Sequence, residues 1–306
     1  MDPRAKPAVT ENDMNFARLT KRFRIDKAQG FRLADFDPAD TCGLDLGKCA
    51  AEDMIAGGLR HLTAMQEKLF AQNRWALLVI LQGMDAAGKD GVVKHVMSGI
   101  NPQGCEVHSF RTPTAEDLGH DFLWRAGRIL PARGRIGIFN RSYYEDVLVV
   151  RVRRELLRNQ NLPPELVTKQ IWSQRFKSIR AFERHLTLNG TVVLKFHLRI
   201  SREEQRRRLL ARLDEPAKRW KFSMADVDDR KLWGDYMDAY EEAIRNTATP
   251  DAPWHIVPAD QKWFAWLTVA AVIGNAMERL ELEFPAVEGK ALAELEKVRT
   301  ALAGGK

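Results

Sequence analysis

The chain has 306 residues, 45% hydrophobic and 29% charged, with a net charge of +7. That suits one large α/β domain or two smaller ones, with core enough to need no disulfide or metal staple. The longest apolar runs, such as "WALLVIL" at 75–81, are strand-length and far short of the ~20 residues of a membrane span. Three cysteines (Cys42, Cys49, Cys105) without CxxC spacing argue against a disulfide framework or a zinc site, and for a reducing cytoplasm. The excess positive charge is either a solvated basic surface or a match to a polyanionic partner.

The opening residues, "MDPRAKPAVTENDM", lack an apolar signal region and read as a polar start. From Lys21 to Lys48, Gly, Pro and Asp interrupt any period, which predicts an irregular arm. "AAEDMIAGGLRHLTAMQEKLFAQ" then spaces Met54, Leu59, Leu62, Met65, Leu69 and Phe70 as one helix. Beyond it strands and helices alternate. "RWALLVILQ", "CEVHSF", "RIGIFN", "TVVLKFHLRI" and "WHIVPA" read as strands. "GVVKHVMSGI", "TAEDLGHDFLWRAGRIL", "YEDVLVVRVRRELL" and "LVTKQIWSQRFKSIRAFERHLTLNG" read as helices, the last capped by Gly190. A long amphipathic helix over about 262–283 closes the core. The alternation predicts a parallel five-stranded sheet flanked by helices. The expected organisation is an arm over 1–50, one domain over 51–285 with an excursion at about 201–247, and a tail over 286–306.

Between the first strand and its helix lies "GMDAAGKDG", most of a phosphate-binding loop. A buried strand runs in and a helix runs out, so backbone N–H groups and the helix N-terminus can cradle phosphates. Gly83 and Gly88 permit the close approach, Ala86 and Ala87 line the turn, and Lys89 reaches the phosphates. The next position normally carries Ser or Thr, whose hydroxyl binds the metal; here it is Asp90. Asp85 sits inside the loop. As a turn former it is ordinary, but a carboxylate among phosphates is repelled unless a divalent cation lies between them. Asp85 is therefore the candidate ligand in place of the missing hydroxyl.

The second cluster is "FNRSYYEDV". Asn140, Arg141, Ser142, Tyr143, Tyr144, Glu145 and Asp146 arrive together at the C-terminal end of a strand, where open α/β sheets bind ligands. A capped helix start accounts for Asn140, Ser142 and the acidic pair. Arg141 adds a phosphate-recognising guanidinium.

"GMDAAGKDG", "FNRSYYEDVLVVRV" and the later "RLDEPAKRWKFSMADVDDRKLWGDYMDAYEEAIRNTATPDAPWHIVPADQKW" together resemble the polyphosphate kinase 2 family over most of the chain. The resemblance implies a P-loop kinase fold like that of thymidylate kinase, and Mg²⁺-dependent (or Mn²⁺-dependent) phosphate transfer between inorganic polyphosphate and nucleotides. It puts the family's loop aspartate on Asp85 and its loop lysine on Lys89. It also implies the class III subgroup, which phosphorylates nucleoside mono- and diphosphates, and a homo-oligomer, dimer or tetramer. Many relatives begin the second motif with Asp where this chain has Asn140. That departure moves the second metal carboxylate to Asp146, with Glu145 beside it. Tyr143 stands where relatives carry His or Trp.

Residues 199–221, "RISREEQRRRLLARLDEPAKRWK", hold nine Lys/Arg against four acids, a net of +5. "SREE" is a capping box starting a helix at Ser201. Leu209, Leu210 and Leu213 form its expected inward stripe. Arg208 and Arg212 then lie on a neighbouring edge, followed by Lys218 and Arg219. A solvated charged face is the ordinary reading of such a run; in a P-loop kinase this is the place of a lid that brings arginines to phosphates. Leu232, Tyr236, Tyr240 and Ala243 share one face of the next helix, as packing. The site expected overall is the loop with Lys89 on the phosphates, Asp85, Asp146 and Glu145 on the metal, and Arg141 with the lid cations on the remaining charge. An ATP-dependent nucleoside or nucleotide kinase fits the same loop and lid. A non-catalytic P-loop or nucleic-acid binder fits the charge, although no RNA-binding signature is present; neither nucleic acid nor membrane is expected as a partner.

Overall fold

The computed structural model describes residues 20–44 and 48–304. Its centre is a sheet of six strands in the order β1-β6-β5-β2-β4-β3. They are β1 (Arg24–Ile25), β2 (Ala76–Gln82), β3 (Cys105–Ser109), β4 (Ile136–Asn140), β5 (Thr191–Arg199) and β6 (Trp254–Pro258). The five expected strands form a parallel set. All seven residues of β2 are buried, as in a strand covered on both faces. The sixth strand corrects the five-strand expectation: β1, within the arm, pairs antiparallel with β6 through Arg24 and His255. Two residues carry no periodicity, so only the pairing defines this strand.

The helices are α1 (Lys48–Gln72), α2 (Lys89–Val96), α3 (Ala115–Leu118), α4 (Trp124–Gly127), α5 (Val149–Val152), α6 (Ile171–Leu188), α7 (Arg202–Asp214), α8 (Met224–Lys231), α9 (Trp233–Thr247), α10 (Lys262–Glu278) and α11 (Gly289–Gly304). The buried apolar helix α10 packs against α1 and α2 on one face of the sheet; α6 covers β5 and meets α9. Tyr236, Ala239, Tyr240, Ala243 and Ile244 of α9 are all buried, so α9 belongs to the core. Helix α11, within the expected tail, is exposed along its length.

Three expected helices are shorter or broken. "TAEDLGHDFLWRAGRIL" gives two single turns, because Gly119 ends α3 and the Asp121 carboxylate accepts the Leu123 N–H to start a new one. The valine-rich 143–160 stretch is a 3₁₀ turn at Tyr143–Asp146, the single turn α5, and a second 3₁₀ run at Arg154–Gln160. β-Branched residues weaken helix propensity, and side-chain anchors hold this segment, as set out below. Helix α6 starts only at Ile171; it ends on Asn189, and Gly190 follows with φ +84°.

Candidate active site

Strand β2 is flanked by β5 on one side and β4 on the other, so the chain's crossovers run in opposite directions from it. A crevice at the carboxyl ends of the strands forms at such a switch point, and the phosphate loop sits there. Gly83 has φ +154° and a Cβ on it would stand 2.9 Å from the Leu198 carbonyl oxygen, so no side chain fits. Gly88 has φ +110° at the N-cap of α2, and Ala86 is also left-handed at φ +62°. These turns aim the backbone around the loop. Lys89 folds back across it, its ammonium donating to the carbonyls of Gly83 (2.6 Å) and Met84 (3.1 Å). Burial, and then the charge of Arg141, push its pKa down to about 8, against the pull of Asp85, Glu145 and Asp90.

The second cluster reaches the loop through register. Leu81 pairs with Asn140, so the chain beyond β4 emerges beside Gly83. Arg141 takes a left-handed φ of +63°, a conformation that costs energy for a side-chain-bearing residue and persists when its surroundings fix it. Its guanidinium bridges two carboxylates, Asp85 and Glu145 (2.9 Å to Oε2). The Gln82 amide, oriented to satisfy its neighbours, donates to the other Glu145 oxygen at 2.9 Å and accepts from the Ser142 N–H. The corner itself is pinned from below. Tyr143 and Tyr144 hydroxyls both donate to Glu183 Oε1, at 2.9 and 2.8 Å, and Lys195 donates to Glu183 Oε2 at 2.6 Å and to the Thr247 carbonyl at 2.8 Å. The Tyr143 side chain is thus a buried anchor.

Asp90 stands at the position where the hydroxyl is absent. It turns outward, accepting from Asn140 Nδ2 at 2.8 Å and facing Lys221 at 3.5 Å, so the two motifs are tied together at that point. Asp146 departs from the expectation more sharply. Its carboxylate accepts from Gln160 at 2.6 Å and faces Arg175 at 3.8 Å, while Arg175 donates to its carbonyl at 2.7 Å. Burial pushes its pKa up to about 6, against the pull of Arg175. Asp146 therefore lines a neighbouring cavity of about 230 Å³, whose walls include Asp117, His120, Phe122, Arg125, Gln160 and Arg175. The structure brings Glu145, not Asp146, onto the same guanidinium as Asp85, because consecutive residues of a 3₁₀ turn point in different directions.

The basic helix α7 also differs from its expected orientation. Only Leu209 of the three leucines is buried, while Leu210 and Leu213 are exposed. The inward face carries Gln205, Arg208 and Leu209. Arg208 donates to the carbonyls of Ala86 (3.1 Å), Ala87 (3.0 Å), Ala259 (2.6 Å) and Asp260 (3.0 Å), and to Glu204 at 2.6 Å. Gln205 donates to the Asp85 carbonyl at 3.1 Å. This face is polar because it packs on loop backbone, whose outward carbonyls need donors. Arg212 is held by Asp226 of α8 at 2.9 Å. Lys218 pairs with Glu215, and Arg219 donates to the Leu213 carbonyl, both within the 3₁₀ turn Pro216–Lys221. Ser201 caps α7 through the Glu204 N–H, but Glu204 returns its carboxylate to Arg207 and Arg208 instead of completing a capping box.

Gln82, Gln205 and Asp226 join the site through tertiary contacts that no motif of the sequence marks. Positions 204, 205, 208 and 212 do share a helix face by spacing, and that polar stripe was a readable signal. Among the described residues no cluster of three or more His, Cys, Asp or Glu side chains could hold a metal ion unaided. Asp85 and Glu145 nonetheless converge on one cation, Arg141, beside a phosphate-binding loop. That donor set of hard oxygens suits Mg²⁺ or Mn²⁺, which takes one or two carboxylates and completes its shell with water and phosphate.

Counted through the parallel strands alone, the order is fifth, fourth, first, third, second, with the glycine loop following the first; this defines a P-loop kinase fold. The model of the polyphosphate kinase 2 family matches residues 48–285. An ADP-polyphosphate phosphotransferase of Rhodopseudomonas palustris is 48% identical over 92% of this chain and 98% of its own length. An AMP/ADP-polyphosphate phosphotransferase of Meiothermus ruber is 45% identical over 88% of this chain and 96% of its own. The crystal structure of polyphosphate kinase 2 from Arthrobacter aurescens superposes with a TM-score of 0.84 at 40% identity, covering 92% of this chain and 96% of that one. The chain belongs to the polyphosphate kinase 2 family.

Proposed function

We propose that this protein transfers a phosphoryl group from inorganic polyphosphate to nucleoside mono- and diphosphates, AMP to ADP and ADP to ATP, reversibly. The observation that carries the reading is the pairing of the loop carboxylate Asp85 with Glu145 across Arg141. Two carboxylates beside a loop that binds phosphates repel the ligand unless a cation lies between them, and a divalent cation suits that place once Arg141 turns to phosphate. The names of the curated relatives supply the donor and the acceptors.

An oxygen of the acceptor's terminal phosphate attacks the terminal phosphorus of the polymer in line. The bridging P–O bond breaks, and the shortened polymer leaves with the electron pair. Such a transfer asks the protein for position and charge neutralisation, with no protein nucleophile. The loop N–H groups and Lys89 hold the transferring group. Asp85 and Glu145 would hold Mg²⁺, which when bound spreads the charge of the phosphate oxygens. As phosphate arrives, Arg141 is free to turn from the carboxylates to the anionic oxygens. We take the lid to be residues 201–231, shorter than the expected 201–247 because α9 is part of the core, with Arg212, Lys218, Arg219 and Lys221 as its phosphate-seeking cations. The cavity lined by Arg125, Arg175 and Asp146, the residue next to Glu145 in the chain, is our choice for the acceptor nucleotide.

The test is to incubate the protein with Mg²⁺ and AMP, with polyphosphate in one tube and ATP in another, and to resolve the nucleotides. ADP and then ATP formed from polyphosphate alone supports the proposal. Products formed only with ATP refute it and leave an ATP-dependent nucleotide kinase.

A further inference from the structure

We propose that the Tyr240 hydroxyl is a further substrate contact, donating a hydrogen bond to an oxygen of the phosphoryl group at the transfer point. This rests on the phosphoryl-transfer reading above.

The chain has four tyrosines, and all four are buried. Tyr143 and Tyr144 spend their hydroxyls on Glu183, and Tyr236 donates to Asp229 at 3.0 Å. Tyr240 is 3% exposed, yet its hydroxyl makes no hydrogen bond to any described residue. A buried hydroxyl without a partner costs free energy, and native structures rarely leave one so without a ligand or water to meet it. The Tyr240 oxygen is not wholly sealed: it keeps a small solvent contact, through which a water or a ligand oxygen can meet it.

Where it opens follows from its neighbours. The ring lies against His197, with centroids 4.3 Å apart. His197 pairs in register with Gln82, the residue immediately before Gly83. Tyr240 is therefore fixed at the carboxyl edge of the sheet, beside the loop. Burial raises its pKa well above the ordinary value; after burial, the charged groups felt at the hydroxyl are Glu145, Arg141 and Asp85, the three residues of the loop corner. In that corner the carboxylates already have Arg141, so the phenol is a spare donor among charges arranged for phosphate. A donor is what the reaction can use. The attacking phosphate oxygen carries no proton that a base must remove, whereas the transferring group presents anionic acceptors throughout. Tyr236, one turn away, cannot serve, because Asp229 occupies it.

The experiment is Tyr240→Phe, assayed with Mg²⁺, polyphosphate and AMP or ADP, beside the wild type and Tyr236→Phe. Phe fills the same space against His197 and removes no partnered group. The expected result is a fall in kcat of about 10- to 100-fold, the worth of one hydrogen bond to a charged acceptor, with KM for polyphosphate and nucleotide nearly unchanged and the melting temperature not lowered. Tyr236→Phe is expected to lower the melting temperature and leave kcat near wild type. Retention of kcat within about twofold in Tyr240→Phe overturns the proposal. So does a melting temperature that falls as far as that of Tyr236→Phe, since the hydroxyl would then have a structural partner. Wild-type turnover with polyphosphate separates failure of this inference from failure of the donor assignment.

Discussion

Arg208 distinguishes two roles that the sequence does not separate: a mobile lid cation, or a strut under the phosphate loop. The perturbation is Arg208→Met, which keeps the aliphatic stem and deletes the guanidinium. The structure gives the guanidinium five acceptors, four backbone carbonyls from two segments and the Glu204 carboxylate, in a side chain only 8% exposed. Each such bond is worth about 0.5–1.5 kcal/mol net, and more where a charge is involved. The desolvation of arginine, already met in the wild type, is relieved in the variant and offsets part of the loss. Removing one partner of a buried ion pair costs about 3–5 kcal/mol, and we expect a loss in that range. Against a total stability of about 5–15 kcal/mol this is large. Urea unfolding followed by circular dichroism measures it, with Arg212→Met as the comparison. Arg212 has one carboxylate partner and is more exposed, so its variant is expected to lose turnover with a much smaller loss of stability. If Arg208→Met unfolds within about 1 kcal/mol of wild type while turnover collapses, the strut argument is wrong and Arg208 acts on substrate.

Three further outcomes are expected. Lys89 loses its proton near pH 8 in the free protein, because burial and Arg141 depress its pKa from 10.5; kcat/KM for polyphosphate should therefore fall above about pH 8, while the charged lysine's cost to folding is relieved as pH rises from there toward 10.5, and a profile flat well past that range rejects the assignment. Asp85→Asn should abolish most turnover and change its magnesium dependence, whereas Asp146→Asn should raise KM for the nucleotide with the magnesium dependence intact; the reverse pattern would return Asp146 to the metal. Because the donor is a polyanion and Lys218, Arg219 and Lys221 are exposed, kcat/KM for long-chain polyphosphate should decline steeply with added salt, more so than for a short oligophosphate.

What could be read from residues alone was whatever depends on local period and local chemistry. The buried run before Gly83, the glycine spacing, Lys89 and the odd carboxylate Asp85 are all contiguous, so a phosphate loop and its metal problem were legible without a fold. Four of the five parallel strands were legible for the same reason, each being a largely apolar run, and β3, Cys105–Ser109, stood out only as a short stretch between two helical ones. The sixth strand was not, since Arg24 and Ile25 acquire strand geometry only by pairing with β6. Nor could spacing choose between Glu145 and Asp146. They are adjacent in sequence, and only the 3₁₀ turn, anchored by Tyr143 and Tyr144 on Glu183, sends one to the loop and the other to the neighbouring cavity. The inward face of α7 is not its leucine stripe, because hydrophobic periodicity assumes an apolar neighbour. That helix packs on the backbone carbonyls of a loop more than 100 residues away, and donors, not leucines, satisfy such a surface. Sequence determined which chemistry the chain carries; tertiary structure decided which side chains meet, because contact across the sheet depends on register and on turns that no local pattern encodes.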